Sequence, residues 1–148
     1  MGDHYLLLKL LHIFVAVIAL GTSAGLGIVL EFYADDPAHG AFVLRIIERM
    51  TVLVVFPGYI LVLATGLWMA SLAWPFTARW IQLALGLSVV GVASLGWSIT
   101  ALRKQRNLYE TEGVASARYR QASILSRVSG ASFGLVVVAV LSLMVFKP

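Results

Sequence analysis

Charged residues divide this chain into four long apolar stretches. No Asp, Glu, Lys or Arg occurs in positions 10–30, 50–78, 80–102 or 128–146. A helix needs roughly 20 mostly apolar residues to cross the hydrocarbon core, so each stretch is long enough to span a membrane. The second exceeds that length because it contains a turn, where Pro75 disfavours helix at Trp74. Thr77 then stands where the next helix would take its N-cap. The pattern predicts helices over about 5–32, 43–72, 78–106 and 117–146. Together they make one all-α domain over 1–148, an integral membrane four-helix bundle. A β-barrel also satisfies its backbone in lipid, but Leu135-Val136-Val137-Val138-Ala139-Val140-Leu141 does not alternate as barrel strands do.

Composition agrees. Of 148 residues, 60% are hydrophobic and 12% charged, with mean hydropathy +0.92; soluble domains run at about 45–50% and about 25%. The absence of cysteine removes disulfides, thiol catalysis, Cys-ligated zinc and iron–sulfur clusters. The first apolar run is longer than the roughly 7–15 residues of a signal-peptide core and has only Lys9 before it. It is expected to remain as helix 1.

Helix packing in lipid relies on small residues that let backbones approach. Helix 4 carries Ala122, Ser126, Gly130 and Gly134 at four-residue spacing; helix 1 offers Gly21 and Gly25, and helix 3 Gly86, Gly91 and Gly96. These stripes are expected to close the bundle internally, the alternative being a face for a homo-oligomer or a larger membrane complex. Pro57-Gly58 should kink helix 2. Arg45, Glu48 and Arg49, at i, i+3, i+4 spacing, are expected to pair among themselves.

Polar residues within the spans are few. His12 is the one histidine inside a span, and intramembrane ionisable residues mark functional sites by default. Depth matching across antiparallel helices brings it level with Thr65 and Met69 on helix 2, Gln82 and Ser88 on helix 3 and Ser142 on helix 4. One haem b held by His12 through its iron, with Met69 opposite, is chemically feasible. Gln82 or Thr65 would fix the tautomer, and Lys9 would reach a propionate by snorkelling. The alternative is a bundle histidine satisfied by a neighbour, in a non-enzymatic accessory or scaffold subunit. No phosphate loop, Ser/His/Asp set or paired intramembrane carboxylate is present; hydrolase and kinase readings have no support.

Several marks together carry a family likeness: Lys9-Leu10-Leu11-His12, Gly25-Leu26-Gly27, Pro57-Gly58, Ala64-Thr65-Gly66-Leu67-Trp68-Met69 and the terminal Val145-Phe146-Lys147-Pro148. The chain resembles a family of small four-span bacterial membrane proteins of unassigned function. It is more distantly similar to HemJ-type protoporphyrinogen oxidases and CopD-type copper-resistance membrane proteins. The resemblance implies a bacterial inner-membrane location and a haem or porphyrin role for His12. The HemJ-type arginine late in helix 1 and lysine early in helix 3 correspond to Ile28 and Ala84 here.

The net charge of +4 flanks membrane spans instead of forming a compact basic domain, so it points to anionic lipid and retention of topology, not to nucleic acid. Trp68, Trp74, Phe76 and Trp80 crowd one membrane interface; Phe32, Tyr33, Trp97, Tyr109 and Tyr119 lie towards the other as an aromatic belt. Eight Lys and Arg residues (Arg45, Arg49, Arg103, Lys104, Arg106, Arg118, Arg120 and Arg127) lie on the side of the two large connections, against Lys9, Arg79 and Lys147 opposite. The positive-inside rule therefore puts both connections in the cytoplasm and both termini outside. A reporter fused at the C-terminus should be active only outside the cytoplasm; activity confined to the cytoplasm reverses the topology.

Overall fold

A computed structural model describes residues 2–147, which form four long helices with no strand among them. We label them α1 (Gly2–Tyr33), α2 (Gly40–Ala73), α3 (Arg79–Glu112) and α4 (Ala117–Phe146). All four are long and apolar enough to cross a membrane. The 34–39 and 113–116 connections share one end of the bundle, hereafter the loop end; the α2–α3 turn, the start of α1 and the end of α4 share the other, hereafter the terminal end.

The spans fall where the apolar stretches put them, but α3 continues to Glu112, past the expected end at 106. Hydropathy reports where hydrocarbon stops, whereas a helix stops where its backbone must turn. Here the last turns are fixed by buried Leu108 and by Arg45 pairing with Glu110 at 2.9 Å. Gly113, at φ 78°, ends the helix in a conformation glycine adopts without strain. Ser116 caps α4, its hydroxyl accepting from the Arg118 amide at 3.2 Å. At the start of α3 the N-cap is Ala78, with no side-chain cap, and not Thr77. Pro57 does not simply break α2. The turn before it, Thr51–Val55, widens into a π-helix, a known relief where a ring crowds the carbonyl four residues back. Thr51 returns its hydroxyl proton to the Ile47 carbonyl at 2.7 Å.

The longest seam joins α3 to α4, and α1 packs chiefly on α2. One core, Leu30, Ala34, Leu44, Ile47, Leu102, Leu108, Tyr119 and Ala122, gathers at the loop end. A second, Val55, Tyr59, Leu95 and Phe133, lies mid-membrane. The glycine stripes do not close the bundle as expected. A Cβ built on Gly21, Gly25, Gly86, Gly96, Gly130 or Gly134 would meet nothing within 4 Å. Close approach occurs at other glycines: Gly58 faces Ala19 (2.7 Å from a built Cβ to the Ala19 Cβ), Gly66 faces the His12 ring, and Gly91 faces the Tyr59 hydroxyl. The reason is that α1 leans on α2 and stands off α4, so the Gly130–Gly134 face of α4 lines a cleft instead of a contact.

Ion pairs at the loop end run between elements, not within α2 as its spacing suggested. Glu48, nearly buried, takes Arg103 Nε at 3.1 Å and Arg106 at 2.5 Å, while Arg127 meets Asp35 at 2.7 Å and Glu31 at 3.3 Å. Tyr109 and Tyr119 leave the aromatic belt for structural work: Tyr109 donates to the Asp36 carbonyl at 2.6 Å, and Tyr119 lies 3.0 Å from that of Ala34. In the same connection, the Ala38 and His39 amides hold the Asp36 carboxyl below the usual carboxylate range. A depressed folded value contributes stability that is present above the unfolded value and lost as the pH falls through the folded one.

Two expectations follow from this packing. Gly91→Leu should destabilise the protein by about 1–3 kcal/mol through overpacking against Tyr59, whereas Gly130→Leu and Gly134→Leu should stay near wild type. Melting in detergent measures the difference, and the reverse ranking would mean that α1 closes onto α4. Glu48→Gln should cost about 1.5–3 kcal/mol, the scale of a hydrogen bond to a charged group. The larger penalty for breaking a fully buried pair does not apply, because Arg103 and Arg106 keep 53% and 29% of their side chains exposed. Arg45→Ala, which breaks an exposed pair, should cost under about 1 kcal/mol by the same measurement.

Candidate functional site

His12 lies in α1, half-buried against α2. Its Nδ1 is 2.8 Å from Thr65 Oγ1. That hydroxyl sits 2.7 Å from the Leu61 carbonyl and 3.1 Å from that of Val62, the usual destination for a helical threonine proton. With its one proton committed to the backbone, Thr65 accepts from His12 Nδ1–H, and in the neutral ring Nε2 keeps the lone pair. Gly66 makes room for the ring, since a Cβ there would come within 3.1 Å of Cε1.

Of the other residues singled out from the sequence, Met69 is half-buried on α2, one turn beyond Thr65 towards the terminal end. Lys9 and Gln82 are exposed, and their side chains take part in no hydrogen bond or ion pair among the described residues. The structure therefore brings His12 together with Thr65, one of the two residues expected to fix its tautomer, and not with Gln82. No group of three or more His, Asp or Glu side chains gathers into a metal site among the described residues.

Two clefts stand out among the described residues. One, of about 580 Å³, separates α1 from α4; Leu20, Gly27, Ile28, Gly130, Gly134 and Val137 line it, and Glu31 and Arg127 stand at its loop end. The other, about 440 Å³, lies at the terminal end among His4, Tyr5, Leu72, Trp74 and Lys147. There Lys147 Nζ sits 4.6 Å from the Trp74 ring centre and 5.6 Å from that of Trp80, a cation–π contact that anchors the end of α4. His12 lines neither cleft.

A polar series that sequence reasoning missed runs into the α3–α4 seam. Tyr119 Oη lies 2.7 Å from Asp35 and accepts from Gln105 Nε2 at 3.2 Å. Ser126 donates to the Gln105 side-chain carbonyl, and Ser129 donates to the Ser126 backbone at 2.9 Å. Gln105, Ser126 and Ser129 are fully buried. Deeper along the same seam, the hydroxyls of Ser98 and Tyr59 are buried with no hydrogen-bond partner, each at a cost of about 1–3 kcal/mol if left dry. The signal was present in sequence: Ser123, Ser126 and Ser129 recur every three residues on α4, as Ser98 and Gln105 lie two turns apart on α3.

No curated protein and no solved structure matches the chain. Residues 6–148 match the model of a family described as predicted integral membrane proteins. With nearly the whole chain covered and four helices fit to cross a membrane, the protein belongs to the DUF2269 family of integral membrane proteins.

Proposed function

We propose that this integral membrane protein binds haem b, with His12 Nε2 as the axial ligand. The observation behind this reading is the His12–Thr65 hydrogen bond. It does what the hydrogen-bonding partners of metal-bound histidines do: it fixes the tautomer and orients the ring so that one nitrogen lone pair is free for iron. The intramembrane depth of His12 and the likeness of Lys9-x-x-His12 to the HemJ-type proteins support the same assignment. Met69, one turn along α2, is the candidate sixth ligand, and Lys9 the candidate propionate partner at the interface. Thr65 takes the orienting part that Gln82 also offered by level. Because His12 lines neither cleft, binding with the Thr65 bond kept requires α1, the least enclosed helix, to present its outer side to the macrocycle. A haem iron so held would carry single electrons. The positive-inside count orients the loop end to the cytoplasm of a bacterial inner membrane.

The second reading, an accessory subunit of a larger membrane complex, draws on a different observation. Gly27, Gly130 and Gly134 line an open cleft with no backbone against them, and lipid-facing small residues are what a further transmembrane helix packs on.

Absorption spectra of protein expressed with ample haem separate the two. The haem reading expects a Soret band in the wild type, its loss in His12→Ala, and about 10–100-fold weaker loading in Thr65→Val, the scale of a lost orienting partner. A colourless wild type, or a band unchanged in His12→Ala, leaves His12 as a satisfied bundle histidine and the accessory reading in its place.

A further inference from the structure

At the loop end Glu48 joins α2 to α3 by taking Arg103 and Arg106, so these residues mark where the two helices face each other. α2 runs away from the loop end and α3 runs towards it. In antiparallel right-handed helices, the residues that follow two facing positions turn by about 100° to the same side. Arg49 follows Glu48, and Lys104 follows Arg103. The two cations therefore flank one groove on the outside of the α2–α3 pair. Both are exposed, and their side chains take part in no hydrogen bond or ion pair among the described residues. Arg103, 53% exposed, commits only its Nε to Glu48 and keeps its outer nitrogens uncommitted among those residues.

Below the cations the groove is apolar. Thr100 and Trp97 continue the exposed stripe of α3 from Lys104, away from the buried Ser98, Leu102 and Gln105 face. On α2, Leu53 stands one turn beyond Arg49 and is 70% exposed. Depth decides what such a groove meets. Arg49 and Arg103 are the first charges beyond the charge-free stretches 50–78 and 80–102, which sets them at the level of the headgroup phosphates, with Trp97 about 10 Å deeper than Lys104. The two carboxylates beside these cations are committed, Glu48 to Arg103 and Arg106 and Glu110 to Arg45. Neither is left for the ammonium of a zwitterionic headgroup.

We propose that the outer face of the α2–α3 pair at the loop end is a binding site for an anionic phospholipid. Its phosphate lies between Arg49 and Lys104, within reach of the outer nitrogens of Arg103, and its acyl chains run along Leu53 and Trp97. Cations between transmembrane helices at one interface are suited to such headgroups. The site involves neither His12 nor the α1–α4 cleft and stands whether or not haem binds.

Trp97 reports on the site from within, because Trp68, Trp74 and Trp80 lie towards the terminal end. The protein would be reconstituted in phosphatidylcholine bilayers containing increasing fractions of phosphatidylglycerol, with either lipid brominated on its acyl chains. Quenching of Trp97 is the difference between wild type and Trp97→Phe. Phosphatidylglycerol should be preferred over phosphatidylcholine at Trp97 by about 25-fold, about fivefold from each unpaired cation. Arg49→Gln and Lys104→Gln should each lower that preference about fivefold. Arg120→Gln, which removes an exposed charge at the same end but on α4, should leave it unchanged. These are exposed positions, so elution as wild type is expected of all three variants. A wild type that shows no preference at Trp97 would overturn the site. So would an equal loss in Arg120→Gln, which would reduce the effect to the diffuse charge of the loop end.

Discussion

In hydrocarbon nothing drives apolar helices together, while every buried polar group must find a partner inside the protein. The Tyr119 hydroxyl answers that second demand for three segments at once. It meets the Ala34 carbonyl and the Asp35 carboxylate of the first connection, and accepts from Gln105 of α3, while itself belonging to α4. Asp35 in turn holds Arg127, and Arg127 holds Glu31 at the end of α1. The loop end is thereby fixed as a unit. Away from it, α1 is kept on α2 by the close fit of Ala19 to Gly58 and of His12 to Thr65 and Gly66, with Leu20 and Leu26 against the mid-membrane core, and its packing on α4 is sparser. The open cleft is the result of fastening the helices at one end.

What could be read from the sequence were the properties a residue has by itself. Charge-free length gives the spans because each residue's transfer from water into lipid depends on its own chemistry. Depth along a span is nearly as local, and so His12 and Thr65 could be matched by counting residues from opposite interfaces. Partner choice was not legible in this way. Glu48 stands three and one residues from Arg45 and Arg49, yet its carboxylate turns to Arg103 and Arg106, because helix rotation about the long axis decides which face meets which neighbour. The same rotation sends Gly130 and Gly134 to open space and brings Gly91, a less conspicuous glycine, against Tyr59. Tyr109 and Tyr119 show the limit of compositional reasoning. A tyrosine near an interface is an anchor to headgroups only when no connection folds over it.

The two main seams differ in kind. That between α1 and α2 is tight and spare in polarity, with one hydrogen-bonded pair at His12 and glycine meeting alanine deeper in. That between α3 and α4 is longer and carries serine, glutamine and tyrosine hydroxyls in its loop-end half. An imidazole is thus isolated on one side of the bundle and a polar series on the other, with the mid-membrane core of Val55, Tyr59, Leu95 and Phe133 between.

The π turn at Thr51–Val55 sets the register of everything that follows it in α2. A π turn accommodates one residue more than an α-turn, so the helix beyond it is rotated by about 100° from where an unbroken α-helix would carry it. Tyr59, Thr65 and Gly66 all lie beyond that point. Their meetings with Gly91 and His12 depend on a residue count fixed in a short segment that touches neither. Deletion of one residue from that segment would leave every side chain of the seat for His12 intact and turn it to face elsewhere. In the divergence of such chains, this segment is one where length should be more constrained than identity.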